Sequence, residues 1–278
     1  MSLHSHTWMP SRFNSIRSFF GLLALTAMSV LSPLVAPQAE ASIKTMGEAI
    51  NIAGRQRMLS QRIAQSYLLI GLQPDSKRGP TQLERSLVEF QRNLDDLKAF
   101  PPAKSLLEDI STVEDLWKPY KALASAPVNK DNAVELIEQS NPILAAAHEY
   151  VGKLQNLSGT TKAEVINISG RQRMLSQRIA KNFLAQHWGV SNKATEDLYN
   201  DLAEYENVLG YLMESDINTP AINTQLNKVK GYFNYASQGF DGVMELSEKR
   251  LIYVVTGTTD YMLRGMDVTT KMYANLLN

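Results

Sequence analysis

Apolar side chains recur three and four residues apart along most of the chain. Leu83, Leu87, Phe90, Leu94 and Leu97 follow this spacing, and Leu198, Leu202, Tyr205, Leu209 and Leu212 repeat it 115 residues later. Such an interval keeps side chains on one face of an α-helix, and no stretch alternates apolar and polar positions with the Val, Ile and Thr content of a strand. The pattern predicts an all-α protein. Helices are expected over 44–71, 80–99, 103–124 and 130–157, divided at Gln73-Pro74-Asp75, Pro101-Pro102 and Ala126-Pro127. Proline ends a helix there because it lacks the N–H donor and clashes with the preceding turn. A second set is expected over 161–188, 193–214, 219–245 and 247–277, while Asn141-Pro142 would kink or restart the fourth helix. Short connections make sequential helices antiparallel, so the prediction is two tandem up-down-up-down four-helix bundles.

The duplication is explicit in one box. Residues 50–65 and 166–181 are identical at 14 of 16 positions, with an offset of 116. Trp117 and Phe233, at the same offset, read as matched core anchors. Two copies of one domain are expected at 42–158 and 159–278, preceded by a leader at 1–41. On a helical wheel Ile52, Leu59, Ile63 and Ile70 form one stripe, and Ile50, Ala53, Arg57, Ser60, Ala64 and Tyr67 another. Arg57 therefore sits between Gly54 and Ser60, and Arg173 between Gly170 and Ser176. A mid-helix glycine costs about 1 kcal/mol against alanine, which argues that a second helix approaches closely there. Arg55, Arg62, Arg171 and Arg178 lie on a different face and are expected to be solvated or paired with acidic neighbours.

The segment Leu157-Ser158-Gly159-Thr160-Thr161 decides how the copies meet. If it turns, the first helices of the copies run parallel and Arg57 can face Arg173. If one helix runs from about 142 to 188 instead, the two arginines are far apart. Gly159 beside Ser and Thr suits a helix stop followed by an N-cap, which favours the turn.

Composition narrows the chemistry. The chain has 28 Lys+Arg, 28 Asp+Glu and no Cys, which excludes disulfides, thiolate metal sites and thiol nucleophiles and argues against nucleic acid as a partner. Four His, two of them at positions 4 and 6, leave little for a metal, and no cofactor is expected. His148 and His187 lack the Glu three residues earlier that marks di-iron bundles, and read as surface or boundary residues. Met58 and Met174 read as core filler, and Tyr150, Tyr205, Tyr232, Tyr235 and Tyr253 as bundle-packing residues. No nucleophile elbow or Gly-rich phosphate loop is present, so no enzyme is expected.

At the N-terminus Arg12 and Arg17 precede an apolar run from Phe19 to Leu31, and Ala39-Glu40-Ala41 follows Pro33 and Pro37. This is the layout of a cleaved secretory signal, with cleavage expected after Ala41 and a soluble periplasmic product. No later segment is long and apolar enough to span a membrane. Such a product would need a membrane receptor or sensor kinase to signal.

The box Asn51-x-Ala53-Gly54-x-x-Arg57-Met58-x-Ser60-x-Arg62 resembles the signature in the periplasmic sensor domain of the nitrate-responsive kinases NarX and NarQ. The fuller string GRQRMLSQR is more similar to the N-terminal domain of PilJ-type methyl-accepting chemotaxis transducers of type IV pili. The resemblance implies a sensor domain in which Arg57 and Arg173 bind a small, nitrate-like anion, with Gly54, Gly170, Ser60 and Ser176 lining the site. This chain departs from the nitrate sensors at Arg55-Gln56, Arg171-Gln172, Gln61 and Gln177. Two readings stay open at this point. In one the box captures an anion; in the other it is a packing signature of an interaction bundle that docks on a membrane receptor or pilus-linked partner.

Overall fold

The computed structural model describes residues 43–240 and 244–277; the expected leader lies outside them. Eight α-helices are present among the described residues: α1 (Met46–Leu72), α2 (Arg78–Ala99), α3 (Leu107–Ala124), α4 (Lys130–Ser158), α5 (Thr161–Trp188), α6 (Ala194–Met213), α7 (Pro220–Phe240) and α8 (Glu248–Leu277). None is long and apolar enough to cross a membrane.

Local chemistry sets the helix ends. Thr45 opens α1 with a capping box: its hydroxyl accepts from the Glu48 N–H at 3.2 Å, and the Glu48 carboxylate accepts from the Thr45 N–H. Asn129 caps α4, and Thr160 caps α5 by accepting from the Ala163 N–H. Between α4 and α5 the chain turns at Gly159, whose φ of 65° is a left-handed conformation that glycine adopts without steric cost. The uninterrupted 142–188 helix is thereby excluded.

Differences from the expected boundaries have local causes. Pro101-Pro102 open a 3₁₀ turn over Pro101–Leu106, so α3 starts at Leu107 instead of residue 103. The expected kink at Pro142 is absent as a break, since α4 runs through it. A proline inside a helix removes one donor, and the packed face of α4 carries the helix across that gap. Of the helix expected over 219–245, the described residues show Pro220–Phe240, and residues 244–247 are not helical.

Each set of four helices closes into a ring in chain order, and the two rings belong to one compact unit, Glu40–Asn278. Their cores match. Phe90 stacks on Trp117 with centroids 4.0 Å apart, and Tyr205 stacks on Phe233 at 5.1 Å, so the paired anchors recur in the same places. Large side chains of this kind contribute about 1.5–3 kcal/mol each on full burial.

The rings join through α1 and α5, which lie parallel and in register. Gly54 approaches Gly170, Arg62 Nη1 donates to Gln177 Oε1 at 2.8 Å, and Gly71 lies under the ring of Trp188. Both helices are therefore wrapped on nearly all sides: 19 of 27 residues of α1 and 18 of 28 of α5 are buried, against 6 of 22 in α2. Polar residues in this core tie each box to its own ring, with Gln56 Nε2 donating to the Phe90 carbonyl and Gln172 Nε2 to that of Tyr205. Tyr150 and Tyr205 are core residues as expected, and Tyr232 stacks on Tyr261 of α8, packing α7 against α8, whereas Tyr235 and Tyr253 are exposed.

Candidate functional site

Parallel register brings the two box arginines to one crossing. A Cβ placed on Gly54 would lie 3.0 Å from Arg173 Nη2 and 3.4 Å from Arg57 Nη2; one on Gly170 would lie 3.2 Å from each. The end nitrogens are thus separated by no more than twice such a distance. Close approach of the glycine backbones makes the room, which is why glycine stands in mid-helix twice. Each guanidinium then reaches across to the opposite helix. Arg57 Nη2 donates to the Asn167 carbonyl at 3.0 Å, and Arg173 Nη2 donates to the Asn51 carbonyl at 2.9 Å.

Beyond these reciprocal bonds the symmetry breaks. Arg173 Nη1 donates to the side chain of Asn51 and to Asp267 on α8, both at 2.8 Å. Arg57 Nη1 instead meets Nδ1 of His148 on α4 at 3.1 Å, and the side chain of Asn167 turns away to Gln155. A guanidinium only donates, so Nδ1 accepts and His148 is neutral with its proton on Nε2. No carboxylate among the described residues lies within salt-bridge distance of Arg57. Both arginine Nε atoms are buried without a hydrogen-bond partner.

Electrostatics follow from these contacts. Burial pushes the Arg57 pKa down to about 9, helped by the like charges of Arg173 and Arg171. Burial also lowers Arg173, to about 10, with Asp267 opposing the fall. Both stay charged at neutral pH. The His148 pKa is lowered, first by burial and then by Arg57 and Arg171.

An outer layer of ion pairs surrounds the clasp, and it repeats between the copies only in the pairing of Arg55 with Glu89 and of Arg171 with Glu204. Arg55 bonds Glu89 at 2.7 Å and also Asp267, while Arg171 pairs with Glu204. Arg62 pairs with Asp260, and Arg178 with Asp201. These four arginines are paired, as their helical face suggested. Among the expected lining residues, Ser60 and Ser176 do not reach the guanidiniums: each hydroxyl donates to the carbonyl three residues earlier in its own helix, at 2.8 Å. The residues that complete the clasp, Asn51, Asn167, His148 and Asp267, were not singled out for it. The two asparagines stand in the repeated box and carried a signal; His148 and Asp267 do not share the box and carried none. His187 is ordinary, its Nδ1 meeting the Phe183 carbonyl of its own helix. Among the described residues no group of His, Cys, Asp and Glu could hold a metal.

The clasp can do two things. It locks α1 to α5, and on the Arg57 side it presents a desolvated cation with no carboxylate among the described residues within salt-bridge distance. Neither the curated proteins nor the solved structures include a match to this chain. A family description, "Type IV pili methyl-accepting chemotaxis transducer N-term" (PilJ), matches residues 40–141 and 157–251. The matched stretches hold both boxes, whereas His148 and Asp267 fall outside them. With most of its length matched in two successive stretches, each opening on one of the paired box helices, the chain belongs to the PilJ family of type IV pili chemotaxis transducer N-terminal domains.

Proposed function

We infer that this protein is an exported, non-enzymatic sensor-type protein of two tandem domains, 42–158 and 159–278, that takes up one small anion at the Arg57 end of the clasp. The observation that carries the reading is the asymmetry of the two arginines. Arg173 has Asp267 as counter-ion, and at the corresponding place Arg57 has the neutral ring of His148. An oxyanion of nitrate size beside Arg57 Nη1 would supply the missing charge, with Arg171 adding positive potential. His148 forms the outer wall and is exposed on its solvent side, so a ligand need not open the helix pair. Binding there would tighten the α1–α5 pair, the element through which a membrane receptor or sensor kinase could read the occupied state. Export rests on the N-terminal charge, apolar run and Ala-x-Ala pattern of the sequence.

The test is calorimetric titration of the protein with nitrate, nitrite and formate, in the wild type and in His148→Asp. Installing a carboxylate opposite Arg57 copies the Arg173–Asp267 arrangement, so the variant should be more heat-stable and should no longer bind the anion. If no small oxyanion at millimolar concentration binds or shifts the melting temperature of the wild type, the clasp is a packing device. The protein is then better read as an interaction bundle that docks on a membrane partner.

A further inference from the structure

Helices α2 and α8 flank α1 without closing over it, and the space between them is a cleft of about 1050 Å³. Asp260 is its fixed point. This carboxylate, with only 6% of its side chain exposed, accepts from Arg62 Nη1 at 2.8 Å and from Arg78 Nη2 and Gln82 Nε2 at 2.7 Å each. One buried carboxylate between two guanidiniums leaves a net positive floor. Lys77, Arg85 and Arg264 line the same cleft, and no carboxylate among the described residues lies within salt-bridge distance of them. The opposite wall is aromatic: Tyr235, Tyr253 and Tyr261 are 49%, 59% and 53% exposed. The Tyr261 ring is already engaged, with Arg264 over it at 5.6 Å and Tyr232 stacked on it with centroids 5.4 Å apart, so Tyr235 and Tyr253 offer the open faces.

The duplication supplies an internal control. In the second copy the helix corresponding to α2 is α6, which carries Glu196, Asp197, Asp201, Glu204 and Glu206 and no lysine or arginine. Asn200 stands there at the place of Arg85. Basic charge beside exposed tyrosines is therefore a property of one groove and not of the repeated fold.

We propose that the α2–α8 cleft is a second binding site, distinct from the clasp, for a planar organic anion carrying two or more negative charges. Its volume suits a ring-sized molecule and far exceeds a nitrate ion. The uncompensated cations along α2 and α8 take the anionic groups, while the tyrosine faces take the ring. Arg62 and Arg78 stay in place on Asp260 whether or not the ligand is present, so the floor is preorganised.

Benzene-1,3,5-tricarboxylate is the probe, with citrate as a ligand of equal charge and no ring. Titration of the whole chain should show tricarboxylate binding that weakens about tenfold in each of Arg85→Gln and Arg264→Gln, a loss expected for one charge-assisted contact. Tyr253→Ala should weaken the aromatic ligand several-fold and leave citrate unchanged. All three positions are exposed, so the variants keep the fold. Arg57→Met should leave this binding intact, which separates the cleft from the clasp. The proposal is overturned if the tricarboxylate does not bind at millimolar concentration or if binding ignores the double variant Arg85→Gln/Arg264→Gln. It is equally overturned if citrate binds as tightly and Tyr253→Ala changes nothing, which would reduce the cleft to a diffuse charge patch.

Discussion

Replacing each box arginine by methionine should give unequal results, although the two positions are related by the internal repeat. For Arg57 the fall in pKa to about 9 sets the scale. At about 1.4 kcal/mol per factor of ten, burial and the like charges of Arg173 and Arg171 together disfavour the charged form by an upper bound of about 5 kcal/mol. The folded-state pKa is depressed, so this penalty is present at all pH values below about 9 and is relieved only as pH rises through that value. Truncation gives up two hydrogen bonds, to the Asn167 carbonyl and to His148, roughly 1.5–3 kcal/mol each when the donor is charged. Neither partner is left as a buried charge. The terms nearly cancel, and Arg57→Met is expected to fall between a gain of ~2 and a loss of ~1 kcal/mol.

Arg173→Met removes three hydrogen bonds and leaves Asp267 and the Asn51 side chain facing an apolar chain end. Asp267 keeps Arg55 and Lys271, which limits the damage. A loss of roughly 2–4 kcal/mol follows, somewhat below the cost of breaking a fully buried pair. Urea unfolding at pH 7 of wild type and both variants measures the difference, which should be at least about 1 kcal/mol with unchanged m-values. Equal destabilisation by the two substitutions would refute the assignment of Arg57 as an uncompensated charge, and with it the argument for an anion at that end.

Three further outcomes test other parts of the structure. Lys181 is buried with a single hydrogen bond, to the Ser140 hydroxyl, and burial followed by Arg178 lowers its pKa to about 8; Lys181→Gln, which copies Gln65 of the first box, should stabilise the protein by ~1–3 kcal/mol at pH 7, with the gain shrinking above pH 8 in denaturation curves. His148 has a lowered pKa, so the unfolded chain takes up its proton first and stability should fall as pH drops below about 6.5; His148→Gln should flatten that part of a melting-temperature profile, and an unchanged slope would show that another group titrates. Gly71→Val would place a Cβ 2.1 Å from the Trp188 ring, and since that ring is rigid the α1–α5 pair must splay; a loss above ~2 kcal/mol is expected in thermal unfolding, whereas a mild effect would mean the ring has another place to go.

Helical class, the breaks between helices and the duplication were legible because each is written in local terms: apolar spacing, proline and glycine positions, and a box repeated at 14 of 16 positions. The parallel meeting of Arg57 with Arg173 was also legible, because Gly159 and Thr160 carry the chemistry of a stop and a cap. What the repeat concealed is the difference between its halves. Identical boxes gave no reason to expect that one arginine would meet Asp267 and the other His148, since those partners arrive from α8 and α4 across the ring. Tyr235 and Tyr253, expected to pack and found exposed, failed for a related reason: helical spacing marks a face, but whether another helix covers that face depends on where the chain returns. Sequence by itself determined which residues could lie on a common face and where each helix had to stop, because backbone sterics and hydrogen bonding act over a few residues. Tertiary structure alone decided which charge meets which, because the partner of a buried cation is chosen by the packing of helices distant along the chain.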